Sequence, residues 1–470
     1  PIIIDPKGAD PVAYDREYVI VLSDWSFMHP HKIFAGLKKM GESFNYQKPT
    51  ALEFIKDARK SGLSAAMKER AMWGGMRMSP ADIADIAGEN YTYLINGHGP
   101  KDNWTGIFNS GERVRLRFIN ASAMSIMNVR IPGLEMQVVA NDGQNVAPVN
   151  VYEFQMGVAE TYDVIVRPTG NTPFAIVAES IDRSGMAVAT LAPKGQENAR
   201  AVAPLLRAPP RLTMKDMGHD MSNMDMEAMD HSKMDHSKMG HDMPKMDMEA
   251  MDMAKMDHSN MDMQSHNHAV DFGVANTAMA PTSRLSEPGA GLEHVGHKVL
   301  NYTMLKSLTP NPDLREPTRE IEIHLTSNME RYMWSFNGVK FAHIKEAIKF
   351  YKGERIRMYL INDTMMNHPI HLHGMFFQLN NGAPHDRRPN KHTIIVKPGE
   401  KLSVDISAEH IGDWAFHCHL LYHMHAGMMQ VVSVLPASGK PQNSIMDHSK
   451  MDHSNMDHSK MAPSKTGGMK

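Results

Sequence analysis

GERVRLRFINAS, residues Gly111–Ser122, returns later in the chain as GERIRMYLINDT, Gly353–Thr364. Each copy is a Gly-Glu turn followed by an alternating run, the two-residue period of a half-buried strand. Two further pairs follow in the same order, ETYDVIV (160–166) with EKLSVDI (400–406) and PFAIVAE (173–179) with DWAFHCH (413–419). Short strands between Gly, Pro and Asn turns, repeated at a kept spacing, predict an all-β chain of two antiparallel Greek-key sandwiches. A length of 470 residues accommodates both and a linker between them.

The second copy carries chemistry that the first lacks. HPIHLHG (His368–Gly374) and HCHLLYHMHAGM (His417–Met428) follow its strands, and the only cysteine of the chain, Cys418, lies in the second motif. On an extended strand His371 and His373 project to one side, while His368, an odd number of residues away, can face another. In HCH the outer pair, His417 and His419, share a side and Cys418 points to the opposite one. Two metal sites on opposite sides of one strand follow. Cys418, His423 and Met428, joined by His368, form a set that suits a blue-copper centre, with two imidazoles and a thiolate in a plane and a weak thioether on the axis. Such a centre moves single electrons.

A lone buried histidine is more often a satisfied core residue than a ligand. Six histidines, a cysteine and a methionine in two motifs, each behind a matching strand, are not explained that way. His425 and Met429 fall outside the pattern. Aligned without gaps, the first copy places Ile126, Val129 and Ile131 opposite His368, His371 and His373, and Val177, Ala178 and Glu179 opposite His417, Cys418 and His419. It is expected to be a ligandless structural or interface domain.

Between the copies, residues 214–263 hold 16 methionines interleaved with Asp, His, Ser and Lys. With so little branched aliphatic or aromatic surface, the stretch is expected to be disordered. Thioethers select Cu(I) and imidazole also accepts Cu(II), so such repeats suit capture of copper in either state; the plainer alternative is a solvated low-complexity linker. The unit MDHS occurs here at Met229, Met234 and Met256, and again at Met446, Met451 and Met456. The expected domains are therefore residues 1–200, without copper ligands and with a helical insert near 51–92; a disordered Met/His/Asp-rich copper-binding linker, 201–300; a copper-binding domain, 301–440; and a Met/His-rich tail, 441–470. Met72, Met76 and Met78 could form a smaller Cu(I) site or pack in the core. Asp386 and Arg387 could rim a substrate approach.

Fifty Lys and Arg against 53 Asp and Glu leave no field that favours nucleic acid or an anionic membrane. No apolar run is long enough to span a bilayer as a helix. One cysteine cannot form an intramolecular disulfide.

The two histidine motifs resemble the third and fourth copper signatures of multicopper oxidases. With the Met/Asp/His/Ser tract, essentially the whole chain resembles the periplasmic copper-resistance oxidases of the CopA and PcoA type. The resemblance implies cupredoxin-like sandwiches, a type 1 copper on His368, Cys418, His423 and Met428, a type 2 copper with His371, and a type 3 pair with His373, His417 and His419. It implies that substrate electrons enter at type 1 and pass by Cys418, His417 and His419 to a trinuclear cluster that reduces dioxygen to water. Cu(I), oxidised to Cu(II), is the substrate it suggests, with phenols as a further possibility. It also suggests a periplasmic location beside other copper-resistance proteins of the periplasm and outer membrane.

Two departures stand out. The family adds four histidines from an N-terminal sandwich, in HxHG and HxH signatures, for which this chain offers only His29-Pro30-His31 and His98-Gly99. PIIIDP, residues 1–6, reads as the end of that preceding domain, so a full type 1 site and half a cluster are expected. Tyr422 stands where some relatives carry a glutamate thought to deliver protons, and a neutral phenol is a poorer shuttle. Rival readings are a non-enzymatic copper store or chaperone, which needs no cysteine between two cluster histidines, and a laccase-like phenol oxidase, which shares every motif.

Overall fold

The repeat becomes two sandwiches of one topology. The computed structural model describes residues 8–76, 78–218 and 273–437; PIIIDP, nearly all of the methionine tract, every MDHS unit and the tail lie outside the described residues. The first sandwich has strands β1 (Arg16–Trp25), β2 (Thr92–Ile95), β3 (Thr105–Phe108), β4 (Val114–Asn120), β5 (Met127–Arg130), β6 (Met136–Asn141), β7 (Gln144–Val151), β8 (Glu153–Met156), β9 (Thr161–Val166), β10 (Phe174–Ser180) and β11 (Met186–Pro193). Its sheets run β2-β1-β4-β9-β6-β7 and β3-β11-β10-β5-β8.

The second has β12 (Arg319–Asn328), β13 (Met333–Phe336), β14 (Ile348–Tyr351), β15 (Arg355–Asn362), β16 (His368–Leu372), β17 (Phe377–Leu379), β18 (Asn390–Lys391), β19 (Thr393–Val396), β20 (Lys401–Ser407), β21 (Gly412–Cys418) and β22 (Met429–Leu435). Its sheets, β13-β12-β15-β20-β17-β18 and β14-β22-β21-β16-β19, repeat the first pair strand for strand. The sheets are mixed, not purely antiparallel as expected. β1 with β4, β3 with β11, β12 with β15, and β14 with β22 run parallel, because long connections, not hairpins, join these strands.

Four α-helices are described: α1 (Pro30–Lys39), α2 (Ala51–Ser61), α3 (Leu63–Gly75) and α4 (Leu421–Ala426). The helix expected from residue 51 is two helices. A capping box starts α2, in which Thr50 N donates to Glu53 Oε2 at 2.8 Å and Glu53 N donates to Thr50 Oγ1 at 3.3 Å. Gly62, at φ +91°, then breaks the helical path before α3. Among the described residues no helix is long and apolar enough to cross a membrane.

The gapless alignment of the two copies is corrected by one residue. The side-chain amide of Asn120 donates to Ser125 O, five residues on, whereas that of Asn362 donates to Met366 O, four residues on. The loop of the first copy is one residue longer. Asn120 and Asn362 also donate to Met156 O and Val396 O, and Met127 pairs with Met156 as His368 pairs with Val396. Met127 is therefore the counterpart of His368, and Arg130, not Val129, that of His371. Ala178 pairs with Val129 as Cys418 pairs with Ile370, so Glu179 keeps its place opposite His419.

The first sandwich thus puts charges where the second puts histidines. Arg130 Nη1 lies 3.0 Å from Glu179 Oε2, and Arg207 binds both Glu153 Oε1 and Glu179 Oε2 at 2.6 Å. His297 Nε2 meets Glu153 at 2.8 Å. Both carboxylates are fully buried. Removing one partner of a buried ion cluster leaves the remaining charge uncompensated and costs about 3–5 kcal/mol. Arg207→Ala should lower urea-unfolding stability by about 3 kcal/mol, and adding Glu179→Gln should recover part of the loss; an unchanged midpoint in the single variant would contradict this role.

Candidate metal centre

β16 and β21 are antiparallel neighbours, with Ile370 opposite Cys418 and His371 opposite His417. Alternation then sorts the donors onto two faces. His368 lies two residues before Ile370 and so falls on the face of Cys418. The turn from β21 into α4 brings His423 back to the same place. At the end of α4, Gly427 adopts φ +132°, where a Cβ would lie 2.6 Å from Trp334 O, so only glycine fits this reversal. Beyond it Met428 N donates to His423 O at 3.0 Å and Cys418 N donates to Met428 O at 3.1 Å.

His368 Nδ1 and His423 Nδ1 stand 3.2 Å apart, and Cys418 Sγ is 3.6 Å and 3.9 Å from them. All three residues and Met428 are fully buried. Each ring is held from behind through its other nitrogen: His368 Nε2 meets Thr364 Oγ1 at 2.7 Å, and His423 Nε2 meets Asp85 Oδ2 at 2.7 Å. Tyr332 donates to the same Asp85 oxygen at 2.8 Å, and the Trp334 ring stacks on His423 at 3.8 Å. Burial holds His368 well below the usual histidine range, with His423 adding to the shift, and pushes the Cys418 thiol far up. Burial, reinforced by Asp85, also pushes Asp82 up to about 7.

The opposite face gathers His371, His373, His417 and His419. His373 Nε2 and His417 Nε2 face each other at 3.2 Å, and the His371 ring lies 4.7–5.6 Å from the other three. One donor atom from each of His371, His373 and His417 falls within 4.8 Å of the others. Burial lowers His371 to about 3 and His417 to about 4, and also lowers His373 and His419. At neutral pH these four rings are uncharged, with lone pairs available to a cation.

Other candidates lie elsewhere. His29 caps α1 and stacks on His31 at 5.2 Å, both exposed, and exposed His98 sits in the turn after β2; none joins either group. Met76 and Met78 pack against the core. Arg387 donates to Leu308 O at 2.7 Å, tying the Asp386-Arg387 turn to the chain that enters the second sandwich. His425 packs on Phe34 at 4.6 Å, and Met429 sits in β22 opposite His417. Tyr422 is half-buried, which pushes its phenol up, and it donates to Pro30 O at 3.4 Å.

Sequence reasoning missed Asp85, Trp334, Thr364 and His392, whose ring is 5.2 Å from that of His371. Thr364 ends the quoted repeat, which was its only signal. Asp85 comes from the other sandwich and has no spacing relation to the histidine motifs.

Two family profiles, each described as multicopper oxidase, match residues 63–196 and 314–438. Copper resistance protein A of Escherichia coli is 49% identical over 460 residues, covering 92% of this chain and 74% of that protein. Copper resistance protein A of Pseudomonas syringae pv. tomato is 47% identical with the same coverage. Among solved structures, that of Fet3p, a multicopper oxidase that functions in iron import, superposes with a TM-score of 0.54 at 15% identity, over 90% of this chain and 66% of that one, a likeness of fold. With this identity and coverage, the chain belongs to the multicopper oxidases, a family of oxidoreductases, as a close relative of bacterial copper resistance protein A.

Proposed function

We propose that the chain is the copper-carrying part of an oxidase of copper resistance. In this reading His368, Cys418, His423 and Met428 hold a type 1 copper, His371 serves a type 2 copper, and His373, His417 and His419 serve a type 3 pair. The observation that carries it is the division of three consecutive residues. Cys418 turns to two buried imidazole Nδ1 atoms, while His417 turns to the face of His371 and His373. The donors fit copper, since one thiolate and two imidazoles favour it over harder cations. Copper held there would supply one-electron transfer from a substrate to dioxygen.

The side chains define the conditions. Without a metal the buried Cys418 keeps its proton, so a cation must displace that proton to gain the thiolate. Thr364 and Asp85 hold the outward nitrogens of the two rings, which leaves both Nδ1 atoms turned inward. Trp334 covers His423 and excludes water. The backbone between Cys418 and its two neighbours is the shortest covalent path from one face to the other.

The reading extends to the domains: a sandwich without copper ligands over 1–200 and a copper-binding sandwich over 301–440, a tail over 441–470, and between the sandwiches a copper-capturing linker over 201–300 whose described ends pack on the first sandwich through Arg207 and His297. Copper-capturing repeats joined to these donors favour Cu(I) as the substrate. The reading also takes the periplasm as the location and other copper-resistance proteins as neighbours, in keeping with the likeness to copper resistance protein A. The described residues hold four of the eight histidines that a trinuclear cluster uses in this family.

Cys418→Ser should abolish the intense visible absorption of the copper-loaded, oxidised chain; a retained band would sink the thiolate assignment. Met428→Leu should raise the reduction potential and keep the colour, because a thioether would hold copper only weakly beside a thiolate and two imidazoles. Loss of all copper from that variant would contradict this weak role. In protein that also carries the upstream sandwich, deleting residues 214–263 should slow Cu(I) oxidation several-fold more than oxidation of a phenol. Equal loss on both substrates would favour a phenol oxidase, and copper binding without oxygen uptake would favour a store.

A further inference from the structure

The tip of one hairpin in the ligandless sandwich reaches into the copper half. Asn141, Asp142 and Gly143 turn β6 into β7, with Asp142 at φ +45°, a conformation that Asp tolerates. Asn141 donates to Asn390 O at 2.8 Å. Asp142 Oδ2 accepts from His392 N at 3.1 Å and from Thr393 N at 3.3 Å, while its Oδ1 accepts from Thr161 N at 3.0 Å. Lys391 Nζ lies 3.0 Å from Asp142 Oδ2 and 3.1 Å from Glu160 Oε1, with all three side chains fully buried.

The segment held in this way faces a histidine. His371 Nδ1 lies 2.7 Å from His392 O and 3.1 Å from Thr393 Oγ1, and Thr393 pairs with His371 across β19 and β16. A carbonyl oxygen only accepts, so the proton of His371 sits on Nδ1 and its Nε2 lone pair is left for a cation. The peptide of residues 392 and 393 therefore selects the tautomer of His371, and the carboxylate that grips its N–H groups belongs to the other sandwich.

We propose that Asp142, held by Lys391, is a positioning residue for His371: it fixes the 392–393 segment that aims the metal-binding nitrogen of that ring. The inference rests on the reading that the four-histidine face binds copper. It goes beyond that reading in giving the ligandless sandwich a part in the site. Asn at position 142 keeps an acceptor for the N–H groups and leaves Lys391 paired with Glu160; Ala removes the acceptor.

The test uses crystals of the chain soaked at graded Cu(II) concentrations, with occupancy at each face read from copper anomalous scattering. Side-chain nitrogen NMR of the metal-free, histidine-labelled chain follows the Nδ1 proton of His371, assigned by its absence in His371→Asn. Asp142→Ala should need at least about tenfold more copper to half-fill the four-histidine site, as loss of an outer partner of a ligand does, and should speed exchange of the His371 proton. Filling of the Cys418 site should not change. Asp142→Asn should rescue both properties to within about threefold, which a purely structural role would not predict. If Asp142→Ala fails to fold, Asp142→Ser, too short to grip both N–H groups, is expected to show the same losses. A folded Ala or Ser variant with unchanged filling and exchange overturns the proposal. A four-histidine face that stays empty in the unaltered chain, and also in protein that carries the other four cluster histidines, overturns the copper reading on which it rests.

Discussion

Everything at the metal centre depends on strand alternation between β16 and β21. Successive side chains point to opposite faces, so HCH delivers one sulfur inward and an imidazole on either side of it outward. A slip of one residue would exchange the two sets and mix a thiol with the wrong histidines. The register is set by burial. Ile370, Leu372 and Phe416 are core residues on these strands, and Gly157 of the first sandwich lies so close to Pro369 and Ile395 that a Cβ there would meet them at 2.9–3.0 Å. Core packing along one face thus decides which donors meet.

The chain buries polar groups in three different ways. In the second sandwich burial disfavours protonation of His368, His371, His373, His417 and His419 and ionisation of the Cys418 thiol. In the first sandwich two carboxylates are matched by arginines. Between the halves, Lys391 is shared by Asp142 and Glu160. An unmatched buried ion costs several kcal/mol, so the two charged sites each demand their full set of partners, whereas the neutral site can wait for a cation.

The strands were legible because a repeated Gly-Glu turn and a two-residue period mark them twice. The sorting of His368, His371, His373, His417, Cys418 and His419 by face needed only that same period. The offset that makes Arg130 the counterpart of His371 was hidden, since an alignment without gaps cannot register one added residue in a loop. Gly62 carried a readable break within the expected helix, yet α1 offered only His29 and Pro30 ahead of a short amphipathic run. Asp85, Trp334 and Asp142 act through contacts between segments far apart in sequence, and local pattern holds no record of such contacts.

The arginine and glutamate cluster lets the first sandwich bury two carboxylates without a metal ion. A sandwich closed by its own ions is finished as soon as Arg207 and His297 reach Glu153. Among the described residues those carboxylates are matched by side chains alone. A cation that reaches the second sandwich therefore meets a neighbour whose buried charges are already matched.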